Sequence, residues 1–371
     1  WERSKLLEFG VEFGMFKNAL FVNSEVYKRS SDQMLFYQSL PLSSGLGGQY
    51  DDYPSQVINA GLISSKGLDF SVTYKGSFGD FKYSISGNVS TFRYRVEELT
   101  DNNALTTSAV LADRIDVSRT TVGDVGGYFY GYKCSGIFQT PEQVAEYNEL
   151  ARKRAKELNP DISESNLALV YYSKPNTAPG DLIYVDTDND GTITQADRTK
   201  IGNPWPKATY GFQVMANYKG FDLTIATTGI YKRDVFNASR ASTYQFGSYD
   251  YSTTTRALTR WTEENHSTTN FRINGDDPNK NLSNPSSWYV EDGSFFRVKN
   301  IELGYSVPKT LINKIGLEKL RVYVSGQNIF TFTKYTGFDP EFGIGGAMSA
   351  GVDGGTYPQS RIFLMGVQFD I

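Results

Sequence analysis

Leu364-Met365-Gly366-Val367-Gln368-Phe369-Asp370-Ile371 closes the chain, and with Phe363 it is apolar at every second position. The apolar row is Phe363, Met365, Val367, Phe369 and Ile371; Gly366, Gln368 and Asp370 lie between, and Leu364 alone breaks the rule. Successive side chains of a strand point to opposite faces, so this segment sets one oily row against one wet row. Such a strand belongs either to a soluble β-sandwich or to the wall of a membrane barrel.

Working outward, the same pattern recurs. Leu68, Phe70, Val72 and Tyr74 alternate with Asp69, Ser71 and Thr73; a turn holding Gly76, Gly79 and Asp80 leads to Phe81, Tyr83, Ile85 and Val89, interleaved with Lys82, Ser84, Ser86 and Asn88. Phe212, Val214, Ala216 and Tyr218 precede Lys219-Gly220, then Phe221, Leu223 and Ile225 return; Leu320, Val322 and Val324 form a further strand. The second rows carry Ser, Thr, Asn, Lys and Asp, which is too hydrophilic for a sandwich core and suits a water-filled lumen. Connections alternate between short turns and long stretches around 30–60, 96–125, 135–205, 232–290 and 334–358. That asymmetry predicts a transmembrane barrel, of about a dozen strands at roughly 30 residues per strand and connection. A chain stopping on its last apolar residue, with Gly five places earlier, also resembles the C-terminal signal of outer-membrane barrels.

Composition agrees. The 371 residues are 39% hydrophobic, with 25 Tyr, 24 Phe and 35 Gly. Mean hydropathy is -0.41, and no stretch approaches the roughly 18 apolar residues of a spanning helix. Crossing a membrane would therefore require a closed barrel, which alone pairs every backbone group. A net charge of -4 gives no support for nucleic-acid binding, and the single Cys134 forms no internal disulfide. The start, Trp1-Glu2-Arg3-Ser4, carries neither an initiator Met nor a signal peptide, so the expectation is a fragment lacking an N-terminal part.

One connection holds a helix: Thr140-Pro141-Glu142-Gln143 supplies an N-cap, a first-turn Pro and a Gln for a capping box, and Asn159-Pro160 ends it. Val144, Tyr147, Leu150 and Leu158 form its apolar stripe, and Arg152-Lys153-Arg154 its solvated face. Metal-ligand spacing occurs once, in Asp186-Thr187-Asp188-Asn189-Asp190-Gly191-Thr192-Ile193-Thr194-Gln195-Ala196-Asp197. Read as a twelve-residue calcium loop, it places Asp186, Asp188, Asp190 and Asp197 at positions 1, 3, 5 and 12, Gly191 at the sharp turn, the Thr192 carbonyl at position 7 and Ile193 as apolar anchor. Asp197 replaces the usual Glu and shortens its reach. The bland alternative is an acidic turn without an ion; the expected role of Ca2+ is structural. His266 reads as exposed and Cys134 as a buried or half-buried small residue. No nucleophile, base or phosphate loop surrounds them, so an enzyme is not expected.

Several stretches together resemble the C-terminal half of a SusC/RagA-family TonB-dependent outer-membrane transporter. They are Pro179-Gly180-Asp181-Leu182-Ile183-Tyr184-Val185-Asp186 running on to Ile201-Gly202-Asn203-Pro204-Trp205-Pro206; Tyr128-Phe129-Tyr130-Gly131-Tyr132; Val290-Glu291-Asp292-Gly293-Ser294-Phe295-Phe296-Arg297; and Gly326-Gln327-Asn328 through Asp339-Pro340-Glu341. The resemblance implies an all-β fold, a transmembrane antiparallel barrel of which residues 1–371 supply about half of roughly 22 strands, with long extracellular loops and short periplasmic turns. It further implies a Gram-negative outer-membrane location and TonB-dependent import of oligosaccharides, or in some members oligopeptides. A SusD-like lipoprotein would cap the barrel, and the TonB complex would act through an N-terminal plug absent here. Two other readings are a barrel that only displays adhesin loops and a soluble calcium-binding lectin or glycan hydrolase.

Overall fold

In a computed structural model, residues 2–39, 55–59, 61–99, 105–107, 116–244, 253–343 and 350–371 are described. Nine strands form one antiparallel sheet in which each strand pairs with its neighbours in chain order. They are β1 (Arg3–Met15), β2 (Leu20–Asp32), β3 (Leu62–Phe78), β4 (Phe81–Glu98), β5 (Ala208–Tyr218), β6 (Phe221–Tyr231), β7 (Phe295–Ser306), β8 (Lys319–Thr333) and β9 (Ile362–Asp370). Among the described residues the expected dozen becomes nine wall strands, because the connections take up more of the chain than an even division allows. The sheet does not close on itself. Among the described residues no helix is long and apolar enough to cross a membrane, which leaves crossing by strands untouched.

The register makes the two faces continuous. One residue per strand, Met15–Leu20–Tyr74–Ile85–Val214–Ile225–Ile301–Gly326–Phe363, runs across all nine strands in direct pairs, and all but one are apolar side chains. The next row, on the opposite face, reads Phe21–Thr73–Ser86–Gln213–Ala226–Asn300–Gln327 over β2 to β8. A one-residue slip would exchange these faces throughout, so the pattern fixes the register.

Tyrosines reinforce that register. Tyr27–Gly67, Gly76–Tyr83, Tyr210–Gly229 and Tyr323–Gly366 are direct cross-strand pairs in which the ring lies over a glycine that has no side chain. An aromatic covering a cross-strand glycine restores the packing that the glycine lacks. This accounts for Gly366 inside the terminal apolar strand: a Cβ there would stand 2.5 Å from Cζ of Tyr323.

Turns at one rim are short; at the other the long connections carry nearly all of the buried core. Of the buried apolar side chains among the described residues, only Ile63, Val96 and Phe295 belong to wall strands. The physical reason is the sheet itself: with one apolar and one polar face and no second layer, it has no interior.

Candidate metal centre and the long-loop body

The loop body is woven from connections far apart in the chain. Cys134–Ile137 pairs with Leu182–Tyr184, Thr199–Gly202 with Tyr128–Gly131, and Asp234–Asn237 with both Val290–Asp292 and Val352–Asp353. Tyr132, Tyr184, Ile193, Tyr244 and Phe271 form one of its buried clusters. Asp181 is fully buried and holds Arg272 through 2.7 and 2.9 Å contacts, while Asn281 and the Ala178 N–H also donate to it. A partly buried bidentate pair of this kind fixes orientation as well as charge. Gly180 has φ +88 and lies against Trp261 and Arg272, so the Pro179-Gly180-Asp181 motif is the docking point of two long connections.

The helix α1 spans Pro141–Leu158, with Thr140 accepting from the Gln143 N–H. Gln143 Oε1 accepts from the Gln139 N–H at 2.8 Å, one residue ahead of the expected capping-box partner. The predicted stripe holds for Val144 and Tyr147 but not for Leu150 and Leu158, which are more than half exposed. Ala151 takes the buried place instead, because α1 packs against Gly191 of the acidic loop over Ala151 and Arg154. Arg154 is correspondingly not a free solvated cation: its Nε donates to the Asn189 carbonyl at 2.8 Å.

In that loop the carboxylates of Asp186, Asp188 and Asp190 converge, with ligand oxygens within 4.8 Å of one another. The backbone explains the convergence. Asn189 (φ 60) and Gly191 (φ 92) take left-handed conformations, turning the chain so that Gly191 N–H reaches Asp186 Oδ2 at 2.8 Å. Thr192 donates both its N–H and its hydroxyl to Asp190 Oδ1. The second oxygen of Asp186 is buried without any hydrogen-bond partner. Burial raises the Asp186 pKa from its ordinary value, and the neighbouring Asp197 and Asp190 charges add to that against the opposing Gly191 and Asn189 N–H groups. Three convergent hard oxygens, one of them beside a buried and unpartnered oxygen of Asp186, are a donor set that could hold a hard cation such as Ca2+.

Asp197 sits fully buried at the end of the loop, where Oδ1 accepts from Thr187 N–H and Oδ2 from Thr194 N–H, closing a capping box. It is not one of the three converging groups. Ile193 is buried as expected, and its N–H bonds the Tyr172 carbonyl at 2.6 Å, which ties the loop to the segment following α1. His266 is exposed and Cys134 partly buried, as read from the sequence. Arg154 and Tyr172 were missed because their partners lie in another segment.

A second anchor joins loop to wall. Arg297, nearly buried at the loop end of β7, contacts Asp339 and Glu341, and Asp339 also accepts from the Glu341 and Gln359 N–H groups. Near the opposite rim Arg321 pairs with Asp222 and Glu302 on the polar face.

Matching the wall and its loop body to known proteins decides the kinship. TonB-dependent receptor P3 of Formosa agariphila is 30% identical over 381 residues, covering 99% of this chain. Along its whole length the chain is a homologue of TonB-dependent receptors. SusC of Bacteroides thetaiotaomicron is 24% identical over 99% of the chain. The fold matches the RagAB peptide transporter with a TM-score of 0.73 at 23% identity, and RagAB in an open-open state with 0.72 at 24%; both cover the whole chain. No family profile matches. The chain spans about a third of the length of these TonB-dependent receptors: 34% of P3, 32% of SusC and 35% of the solved RagAB chain. These relatives are receptors and transporters, not enzymes, and the lectin or hydrolase reading is set aside.

Proposed function

We propose that this chain is a wall segment, with its loop body, of a TonB-dependent importer in a Gram-negative outer membrane. The observation that carries the reading is the apolar row crossing all nine strands with a polar row behind it, beneath a body of long connections on one rim only. Lipid covers the first face, water or a plug the second, and the loop body lids the entrance. A SusD-like surface lipoprotein fits above that body, and the TonB complex would act from the opposite side through a plug domain.

The substrate proposed is an oligosaccharide. A cleft of about 670 Å3 in the loop body is lined by Asn237, Ser239, Thr243, Thr255 and Asn270, with Arg240, Arg256 and the 68% exposed ring of Phe338. Hydroxyls, amides and an open aromatic face suit sugar rings. An oligopeptide is the second reading, favoured by the likeness to a peptide transporter. A display-only barrel would import neither. Uptake of labelled oligosaccharides and oligopeptides by cells carrying the full-length protein separates the three. Phe338→Ala should lower oligosaccharide uptake severalfold, and unchanged uptake would remove the cleft from the account.

Calcium belongs to the same proposal as a stiffener. Asp186, Asp188 and Asp190 would hold it, with the Thr192 carbonyl as a further ligand, while Asp197, expected at position 12, closes the end of the loop instead; the ion would neutralise the acidic cluster and fix the loop on α1. Asp188→Ala with Asp190→Ala should abolish calcium uptake while the barrel still assembles. A calcium titration of the parent with no binding would overturn this part alone.

A further inference from the structure

The apolar face ends at the loop rim in different ways on the two halves of the sheet. On β5 to β8 the last outward rows are aromatic: Tyr210, Phe296 and Phe332, with Tyr210 and Phe296 stacked at 6.4 Å. On β2 to β4 the row above Val26–Leu68–Thr91 is Lys28–Lys66–Arg93, three cations paired directly across strands. All three are exposed. The next row adds Lys5 and Arg95 beside Ser30 and Ser64. Like charges placed directly opposite destabilise a sheet, so the row calls for an anion.

The chain does not supply one. Among the described residues, no carboxylate pairs with Lys28, Lys66 or Arg93; the acids nearby are taken, Asp32 by Arg3 and Glu97 by Arg95. Beside the row lies a cleft of about 570 Å3, where the pairing of β4 with β5 stops at Ser90–Thr209. Its lining includes Arg93, Arg95, Lys207 and Trp205, and its one carboxylate, Asp124, is paired with Lys200.

Height identifies the anion. Arg93 stands twelve residues above Phe81, the outward ring at the short-turn rim. At about 3.3 Å per residue and a tilt of about 40°, that is roughly 30 Å along the membrane normal, one hydrocarbon core above the lower rim. Cations at that level, facing outward, lie among lipid headgroups rather than in the lumen. We propose that the outward row Lys28, Lys66 and Arg93 binds the phosphate groups of an outer-leaflet glycolipid. Fixed, exposed cations of this kind gain from an anionic lipid surface as juxtamembrane basic clusters do.

The inference rests on the outer-membrane reading, and the experiment separates the two. The full-length protein and its K28Q/K66Q/R93Q variant are purified from outer membranes and first tested for heat-modifiable migration, the mark of a folded barrel. A parent without it defeats the membrane reading and this proposal together. Both are then titrated in phosphatidylcholine nanodiscs with phosphorylated lipid A, its dephosphorylated form, and inorganic phosphate. The expected result is a loss of affinity for phosphorylated lipid A on the order of 100-fold in the variant at low salt. Lys82→Gln, on the polar face near the other rim, and the K28R/K66R variant should bind as the parent does, while dephosphorylated lipid A binds neither protein. Parent-like affinity in the glutamine variant, equal binding of the dephosphorylated form, or saturation by inorganic phosphate alone would each overturn the proposal.

Discussion

Replacing Gly191 by Ala tests whether the acidic loop is held on α1 as the structure shows. Two costs add. The residue has φ 92, a region that an L side chain enters at about 1–2 kcal/mol. The new Cβ would stand 2.7 Å from Cβ and 3.0 Å from Cγ of Arg154, and 3.3 Å from Cα of Ala151. Arg154 Cβ and Ala151 Cα belong to a packed helix and cannot swing aside, so overpacking contributes about 1–3 kcal/mol. Together these give about 2–4 kcal/mol of local destabilisation, allowing that part of the strain relaxes.

Hydrogen exchange at the amides of Gly191, Thr192 and Ile193 reads that cost directly, because all three donate within the loop or to Tyr172. Protection should fall about 30- to 800-fold at about 1.4 kcal/mol per decade, up to the limit set by the loop's own opening free energy. Calcium affinity should fall in proportion to the closed fraction of the loop. Gly275→Ala is the control: its Cβ meets nothing within 4 Å, and exchange should stay at the parent level. Protection within threefold of the parent in the Gly191→Ala protein would refute the packing of this loop on the helix.

Two further outcomes follow from the wall and from the strap of residues 335–342, which carries the Asp339 and Glu341 partners of Arg297. Gly366→Ala drives a Cβ into the Tyr323 ring, yet that ring faces the open polar side and can turn away, so the cost should be the lost ring contact, about 0.5–1.5 kcal/mol. In a denaturant titration the penalty should nearly vanish in a Tyr323→Ala background; an equal penalty there would sink the register argument. Asp339 gives a pH dependence. Burial alone would raise its pKa, but donation from Arg297 and from the Gln359 and Glu341 N–H groups holds it below the ordinary carboxylate value. A depressed acid stabilises the folded form above its ordinary pKa and loses that contribution as pH falls through the folded value, so the strap should loosen below about pH 4 and not between pH 5 and 8. Amide exchange across Tyr335–Phe342 would show it, and loosening already at neutral pH would contradict the sign.

Each feature was legible in the sequence to the extent that its cause is local. The period of two in Leu68–Tyr74 and Phe212–Tyr218 reports a contrast between two media that acts on every strand by itself. Thr140-Pro141 marks a helix start because cap and first turn are adjacent residues. The convergence of Asp186, Asp188 and Asp190 needs only the left-handed Asn189 and Gly191 between them. Where the partner is remote the reading failed. Leu150 and Leu158 continue the apolar period, but the surface that covers α1 comes from a loop more than thirty residues away and meets Ala151 and Arg154 instead. Asp181 stands in the sequence only as part of the Pro179-Gly180-Asp181 stretch, and only the fold reveals Arg272 ninety-one positions later.

The same division explains where the core lies and why it should not depend on the membrane. A wall strand is stabilised by what surrounds the sheet, so its side chains find little cover within the protein itself: every position of the inner strands β2 and β5 is exposed or half-buried. The loop body buries Phe129, Phe236 and Tyr289 in one cluster and Tyr184 and Phe271 in another, and gathers its own ion pairs, so it carries an interior that the wall lacks. The two parts meet through backbone hydrogen bonds such as Val96 with Asp124 and Gly123, through Phe92 and Tyr94 against Trp205, and through polar anchors, among them the buried Arg297 with Asp339 and Glu341. A loop body with an interior of its own can stay folded as a lid over the rim of the wall strands when one of these contacts is lost. The tyrosine–glycine pairs keep those strands in register independently of the lid, which is why loosening the strap at low pH should leave the wall intact.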